Sequence, residues 1–295
     1  VGTGQRINIP AVMKVLKNTD TFVFGGGNLL QDKTSFQSLI YYTKMLSWAK
    51  KKGCRTVIFA NGLGPFESPC AIKISAKALA AADEISMREK YSLDLARRLC
   101  PDTMPILTFD PAIMTVPEMG AKADGKYFVV APKFFSDCAS ETLVQAVKTL
   151  SERYKMKAYI LPMYEKQDMK ICERVARDAG GELVPRGLSA EEVSGFISGA
   201  EVLIGSRLHS LVLSTVALCP AVAVSDDIKL FSYMEMTDAV TKSGKPCCLA
   251  ENSCAEEIAG LVSEVIFEGE ERRAALAAML HRWRGIFEEG LDILK

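Results

Sequence analysis

Apolar and polar residues alternate in blocks through the first part of the chain, and the blocks predict strands followed by helices. TFVFGGGN (21–28) is a short apolar run that ends in glycines, and SFQSLIYYTKMLSWAKKKG (35–53) repeats apolar positions at helical spacing. The second run ends on three lysines and a glycine, which is typical of a helix carboxyl terminus. RTVIFANGLGPF (55–66) and CAIKISAKALAAAD (70–83) repeat this order of strand, glycine turn and helix.

The same alternation continues along the chain and ends in two amphipathic helices. Strands are predicted at 84–89, 105–113, 127–133, 157–163, 182–187, 201–206 and 220–225, and helices at 91–99, 140–154, 165–181, 189–200, 207–219, 255–267 and 270–294. Ser140 is the expected cap of its helix, and Ser189 with Glu192 has the spacing of a capping box. Strands that alternate with helices of this length predict parallel sheets and an α/β fold.

A segment rich in helix and strand breakers, PEMGAKADGK (117–126), divides the alternation into two series. A chain of 295 residues is also long for one hydrophobic core and fits two domains. We therefore predict two doubly wound, Rossmann-like domains at 1–118 and 127–254, followed by helices at 255–295 that pack back across both.

Composition and charge favour a globular protein that binds small molecules. The 36 basic residues are balanced by 36 acidic ones, and 48% of the chain is hydrophobic. Because affinity for a phosphate backbone needs clustered Lys and Arg, the neutral chain argues against nucleic acid as a partner. No stretch has the length of a membrane span, and the amino terminus has no signal-peptide pattern. We expect a cytoplasmic protein and leave open both a peripheral membrane contact and the oligomeric state.

The nine cysteines of the chain do not form a recognisable pattern. Their irregular spacing, with Cys247 next to Cys248, matches neither a zinc ligand pair nor a disulfide framework. We expect reduced thiols and no metal site.

Candidate binding residues stand where predicted strands end, which is where open parallel sheets bind ligands. At the first such end, Gly26 and Gly27 let the backbone turn tightly and approach a ligand, and Asn28 and Asp32 add polar groups. The pattern is neither GxGxxG nor a P-loop. A plain tight turn that packs helix on strand is the alternative interpretation.

Three further residues have ordinary structural roles as alternatives or as the favoured interpretation. Arg88, in SMREKYS (86–92), ends a predicted strand and is either a solvated surface residue or a contact to an anion. Asp110, in FDPA, fits the role of a cap, and His281 fits a structural role in its amphipathic helix.

The segment GSRLHS (205–210) is the strongest local signal. Ser206 is expected to cap the following helix, with Arg207 in the first turn, where a cation opposes the helix dipole. A bound anion would explain that placement, because guanidinium binds carboxylate or phosphate bidentately. His209 can donate to the same anion or act as a general acid or base. A histidine that is satisfied inside a packed interface is the alternative.

Five segments in order along the chain carry a family resemblance: GGGNLLQDKTSFQSLIYY (25–42), NGLGPF (61–66), SMREKYS, FDPA (109–112) and GSRLHSLVLSTVALCPAVAVSDDIK (205–229). Together they resemble the polysaccharide pyruvyl transferases, over nearly the whole chain from Arg6 onward. The resemblance implies an arrangement similar to GT-B glycosyltransferases, with two α/β domains and a site in the cleft between them.

The resemblance also implies a reaction and roles for residues. Phosphoenolpyruvate would be the donor, and two hydroxyls of a sugar in a cell-wall or surface polysaccharide precursor, free or lipid-linked, would form a cyclic pyruvate ketal with release of phosphate. No metal or separate cofactor is implied. Arg207 and His209 would contact the donor with Leu208 packed between them, His209 would serve as the acid, and Arg88 would be a second anion clamp. The other substrate-binding candidates are Gly26, Gly27, Asn28, Asp32 and Ser206.

One departure from the family pattern bears on activity. Family members usually begin with an additional strand and a glycine-rich turn, and no such segment precedes VGTGQRINIP (1–10), so we expect the first domain to lack a first βα unit. Two other functions stay open: the first keeps the fold and changes the donor, and the second is suggested by the absent βα unit. One is a GT-B-type glycosyltransferase that uses a nucleotide sugar, for which Glu235 is the candidate ligand; the other is a non-catalytic relative that binds an anion or a glycan.

Overall fold

A computed structural model describes residues 9–118, 123 and 125–295. Its contacts divide the chain into two compact units. The first unit comprises Val1–Pro111 with Gly285–Lys295, and the second comprises Ala112–Arg284. Of the predicted linker at 117–126, residues 119–122 and 124 lie outside the described part.

Within the described part of the first unit, four parallel strands form a sheet in the order β1-β2-β3-β4. The strands are β1 (Thr21–Gly25), β2 (Arg55–Asn61), β3 (Glu84–Met87) and β4 (Ile106–Leu107). β4 is shorter than the strand predicted at 105–113, because the chain turns after Leu107 and forms a 3-10 helix at Pro111–Met114. The β2 strand is buried almost throughout, as a central strand of a parallel sheet requires.

The described part of the second unit holds six parallel strands in the order β10-β9-β8-β5-β6-β7. The strands are β5 (Tyr127–Ala131), β6 (Lys157–Ile160), β7 (Glu182–Leu183), β8 (Leu203–Gly205), β9 (Ala221–Val224) and β10 (Cys248–Leu249). Every residue of β5 and β8 is buried, so these two strands form the centre of the sheet. The α/β fold class with parallel sheets is confirmed.

Helices connect the strands largely as the sequence predicts, although the helix at Ile228–Met236 and strand β10 were not predicted. They are α1 (Ile9–Lys17), α2 (Phe36–Lys51), α3 (Pro69–Ala81), α4 (Lys90–Leu99), α5 (Asp137–Tyr154), α6 (Glu165–Ala179), α7 (Ala190–Ser198), α8 (Leu208–Val216), α9 (Ile228–Met236), α10 (Ala255–Phe267) and α11 (Gly269–Gly290). The capping box of Ser189 and Glu192 at the start of α7 is confirmed.

The predicted cap of α5 is wrong by one turn. Ser136 caps the helix, since its hydroxyl accepts a hydrogen bond from the Ala139 amide. Ser140 is buried inside the first turns, where its hydroxyl donates to the Ser136 carbonyl at 2.9 Å. Both serines fit a cap by residue type, and the chain begins its helix at the earlier one.

The nine cysteines are free thiols, as expected. Cys172 in α6 and Cys219 before β9 lie in the core, and burial raises the pKa of each to about 12. Cys70, Cys138 and Cys254 are exposed at helix starts. The buried thiols therefore act as small apolar side chains.

Candidate functional site

The strand order of the second unit reverses between β5 and β8, because the chain runs outward from β5 to β7 and then returns to β8. Open α/β sheets bind ligands at such a switch point, outside the carboxyl ends of the strands. Ala131 pairs with Gly205 there, and the Ser206 amide donates to the Ala131 carbonyl at 3.0 Å. The predicted residues Ser206 to His209 thus lie at this edge.

The turn between β8 and α8 is tightly packed. A β carbon on Gly205 would come within 2.6 Å of the Ser210 hydroxyl oxygen and 2.9 Å of the Leu211 side chain, so only glycine fits. The Ser210 hydroxyl donates to the Arg207 carbonyl at 2.6 Å and fixes the turn. Arg207, and not Ser206, is the residue at the cap position, and it makes no side-chain cap bond. The predicted capping role of Ser206 is therefore wrong, and Ser206 is buried.

The Arg207 guanidinium is held by α6. Its Nε donates to Asp168 Oδ2 at 3.2 Å, and its Nη2 donates to Asp168 Oδ1 and to Gln167 Oε1. The Asp168 side chain is fully buried, whereas that of Arg207 is 31% exposed. Within the described residues Nη1 has no acceptor, so two N–H groups of the guanidinium stay open to a ligand.

His209 follows in the first turn of α8 and is exposed. Leu208, between Arg207 and His209, is half-buried. The structure therefore brings these three predicted residues to one short stretch at the amino terminus of α8, where the helix dipole adds partial positive charge.

A second cation lies on the loop after β5. Lys133 Nζ donates to Ser225 Oγ at 3.0 Å and pairs with Glu251 Oε1 at 2.7 Å, and its side chain is half-buried. Because Lys133 comes two residues after Ala131 and Arg207 two residues after Gly205, the two cations leave paired strands at equivalent positions. Each is oriented by a carboxylate and partly open to solvent, an arrangement that suits a ligand with two anionic groups.

The carboxyl edge of the first unit's sheet is organised differently. Gly26 and Gly27 have φ of 71° and 70°, a left-handed conformation that favours glycine. A β carbon on Gly26 would meet open space, and one on Gly27 would contact the Leu29 side chain at 3.8 Å. Asn28 Nδ2 donates to the Gly64 carbonyl at 3.1 Å, which ties the loop after β1 to the loop after β2. The glycines are therefore required by backbone conformation, and ligand binding by Gly26, Gly27 and Asn28 stays a prediction.

Asp32 is buried in the same pair of loops. Its carboxylate accepts hydrogen bonds from the Glu67 amide at 2.8 Å, the Ser68 amide at 3.0 Å and the Ser68 hydroxyl at 2.8 Å. Burial alone would raise the pKa of Asp32, but these hydrogen bonds outweigh it and lower the pKa below its ordinary value. Asp32 thus joins the loop after β1 to the amino terminus of α3, and its predicted contact with substrate is untested.

Arg88 follows β3 and is buried. Its Nη1 donates to Asp110 Oδ2 at 2.9 Å, and both side chains are less than one tenth exposed. Its Nε is buried without a hydrogen-bond partner among the residues that the structure describes. Arg88 and Asp110 therefore form a buried ion pair at the carboxyl edge of the first sheet, and a solvated Arg88 is excluded.

The described residues were also considered as metal ligands and as membrane-spanning helices. No group of three or more His, Cys, Asp or Glu side chains in residues 9–118, 123 and 125–295 is placed to hold a metal ion. In the same part of the chain, no helix has both the length and the apolar character of a membrane span.

Comparison with known proteins places the chain in a family. The model of the family described as polysaccharide pyruvyl transferase matches residues 5–228. The chain belongs to the polysaccharide pyruvyl transferase family. The match includes every predicted site residue, and also Lys133 and Asp168. A search of the curated proteins found no match.

Solved structures that resemble the chain support the fold. A putative UDP-N-acetylglucosamine 2-epimerase from Listeria monocytogenes is 13% identical with a TM-score of 0.62, over 94% of this chain and 76% of that one. An α,α-trehalose-phosphate synthase (UDP-forming) from Burkholderia vietnamiensis is 12% identical with a TM-score of 0.56, over 99% and 79%. A glycosyltransferase from Rickettsia africae is 10% identical with a TM-score of 0.57, over 99% and 83%. The Rossmann-like, GT-B-type fold class is thereby confirmed.

Sequence reasoning missed Lys133 and Asp168. Lys133 had a signal, since it closely follows an apolar strand, YFVVA, in the same way that Arg207 follows β8. Asp168 had none, because it stands 39 residues before Arg207 in an ordinary amphipathic helix. Glu235, the candidate ligand for a nucleotide sugar, lies in the last turn of α9, away from the carboxyl end of β9.

Proposed function

We propose that the chain transfers a pyruvyl group from phosphoenolpyruvate to two hydroxyls of a sugar in a polysaccharide precursor, and releases phosphate. A proton added to the methylene carbon makes a methyl group and leaves C2 electrophilic. One sugar hydroxyl adds to C2 and loses its proton. The C–O bond to phosphate then breaks with its electron pair, and the second hydroxyl adds to C2, so that one proton leaves with the phosphate.

The observation that carries this proposal is the pair of cations at the switch point. Phosphoenolpyruvate has a phosphate and a carboxylate, and Arg207 and Lys133 emerge from paired strands with donors that the protein leaves open. The amino terminus of α8 adds partial positive charge at the same place. Donors fixed before the substrate arrives stabilise developing negative charge without reorganisation, which favours loss of phosphate.

His209 is the proposed acid for the methylene carbon. It is exposed in the first turn of α8, two residues from Arg207, so a proton on its imidazole can reach a donor bound by Arg207. Imidazole titrates near neutral pH, which suits a residue that gives up and regains a proton in each cycle. Leu208 packs between the two functional side chains.

The acceptor, the location and the lack of a cofactor rest on the family alone, whereas a role for Arg88 also has structural support. The acceptor is a glycan or lipid-linked sugar, the reaction takes place in the cytoplasm, and no cofactor beyond the donor takes part. Arg88 is a further contact to the donor, supported by its buried Nε, which lacks a protein acceptor among the described residues.

The test measures phosphate release from phosphoenolpyruvate mixed with aryl glycosides of galactose, glucose and N-acetylmannosamine, together with the mass of each product. Release should require both donor and acceptor, and the product should gain one pyruvate less one water. H209Q should lower kcat by roughly 10²- to 10⁴-fold, the usual contribution of a general acid. R207K keeps the positive charge but loses the planar guanidinium that binds an anion through two N–H groups. It should raise the KM for phosphoenolpyruvate about tenfold.

Two substitutions serve as matched controls. R174K changes another arginine of the second unit, 30% exposed and paired with Asp137, and H281Q changes the other histidine of the chain. Both should leave kcat and KM unchanged. Turnover that persists at full rate in R207K and H209Q, or phosphate release that needs no acceptor, would contradict the proposal.

A further inference from the structure

A cavity of about 230 Å³ lies in the second unit, away from the candidate site. It is formed where α8 and α9 end and where β9 begins, and α10 and α11 close it. Its lining combines apolar side chains, among them Leu211, Met234 and Leu276, with the charged side chains of Asp238, Lys242 and Arg272. Most of these residues follow residue 228, where the match to the family ends.

The cavity and the candidate site lie at opposite ends of α8. Arg207 stands at the amino terminus of this helix. Ser214 and Thr215 in its last turn line the cavity, and Leu211 does so from the middle of the helix. A helix of nine residues is about 13 Å long. A ligand in the cavity would therefore occupy a site of its own.

The cations that line the cavity are already paired. Arg272 donates to Glu268 Oε2 from Nε at 2.9 Å and from Nη2 at 2.7 Å, and Lys242 Nζ pairs with Glu271 at 2.5 Å. Glu268 also accepts the Lys242 amide at 2.8 Å, so its carboxylate is fully engaged. These four side chains contribute little net charge to the cavity.

One carboxylate of the lining remains unpaired among the described residues. Asp238 is exposed, and its carboxylate makes no ion pair or hydrogen bond with any residue that the structure describes. It follows α9 with φ of 51°, and α8 ends nearby at Leu218, which has φ of 54°. The Leu218 carbonyl already accepts a hydrogen bond from Arg273 Nη1 at 3.0 Å, so the end of α8 is neutralised by a cation. The carboxyl terminus of α9 and the unpaired Asp238 carboxylate are left at the cavity, and both attract a cation.

The remaining wall is apolar. Leu211, Tyr233 and Met234 are buried, and Leu276 from α11 is half-buried. The Tyr233 hydroxyl is satisfied by Thr215 Oγ1 at 2.8 Å, so the tyrosine presents its ring. An aromatic ring and a thioether favour contact with an apolar group, and the ring face also attracts a cation.

We propose that this cavity binds a small amphipathic cation, an ammonium or guanidinium group carried on an aromatic or branched aliphatic group. The charged group lies against Asp238 and the carboxyl terminus of α9. The apolar group lies against Leu211, Met234 and Leu276.

The test compares benzylamine with benzyl alcohol, which has a similar shape and no charge, by calorimetry with the full chain. Benzylammonium should bind at least about ten times more tightly than benzyl alcohol. D238N should remove most of that difference and leave benzyl alcohol binding unchanged. A275W places a large side chain in the cavity from an exposed helix position and should abolish binding of both compounds.

D102N, which neutralises an exposed aspartate of the first unit, is the matched control and should bind both compounds as the unsubstituted protein does. Thermal unfolding of each variant shows that it is folded. Equal affinity for the two compounds, binding that survives A275W, or no binding of benzylammonium at millimolar concentration each overturns the proposal. None of these results depends on turnover of phosphoenolpyruvate.

Discussion

The carboxyl edges of the two sheets have similar kinds of polar residue but use them differently. In the first unit, Asn28, Asp32 and Arg88 make their hydrogen bonds to neighbouring loops or to a buried carboxylate. In the second unit, Lys133 and Arg207 are also oriented by carboxylates, yet both stay partly exposed with donors to spare. The two edges thus differ in exposure, since the cations of the second unit present N–H groups to solvent, whereas Arg88 in the first unit is buried.

The largest expected effect is on the buried pair of the first unit. D110A removes the carboxylate that neutralises Arg88, and should cost about 3–5 kcal/mol of unfolding free energy because a buried guanidinium is left uncompensated. Urea unfolding measures the loss. The double variant R88M/D110L, which removes both charges, should recover most of it. A loss below about 1 kcal/mol in D110A would mean that the pair does not stabilise the first unit.

The next effect concerns Asp32 and depends on pH. D32A should cost about 3 kcal/mol at pH 7, since three hydrogen bonds to a buried carboxylate are lost. Because folding lowers the pKa of Asp32, its contribution is complete above the unfolded pKa of about 4 and disappears as the pH falls through the lower folded value. The stability difference between the unsubstituted protein and D32A, measured by urea unfolding at pH 7 and pH 3, should shrink at pH 3. A constant difference would contradict the lowered pKa.

Lys133 should show the opposite balance, with binding affected more than stability. K133Q should weaken phosphoenolpyruvate binding about tenfold in calorimetry, and change unfolding free energy by less than about 1 kcal/mol, because the pair with Glu251 is half-exposed. K157Q breaks the pair with Glu182 elsewhere in the second unit and is the control for both measurements. Unchanged affinity in K133Q would remove Lys133 from the proposed site.

The smallest effects separate glycines that need their conformation from those that do not. G27A should cost about 1 kcal/mol, because Gly27 has φ of 70° and alanine is strained there although its β carbon would clash with nothing. Gly260, inside α10 with ordinary helical φ and open space, is the matched position, and G260A should stabilise by about 0.5–1 kcal/mol. Thermal or urea unfolding of the pair tests this. Stabilisation by G27A would contradict the assigned role of the left-handed turn.

The local features of the fold could be predicted from sequence, and the pairings between distant residues could not. Strand and helix periods, the capping box at Ser189 and the turn at Gly205 are encoded within a few residues. The cap of α5 failed because Ser136 and Ser140 both fit the pattern. Partners such as Asp168 for Arg207 or Glu251 for Lys133 come from loops and helices far along the chain, and only the folded sheet order brings them together.

The thiols described above have a practical consequence for solution work. Thiolate is the reactive form, so Cys172 and Cys219, with a pKa of about 12, should resist maleimides at neutral pH, whereas exposed Cys138 should react readily. Cys138 lies in the first turn of α5, on the segment that follows Lys133. A fluorophore attached there, with Cys70 and Cys254 replaced by serine, would report occupancy of that edge without any engineered cysteine.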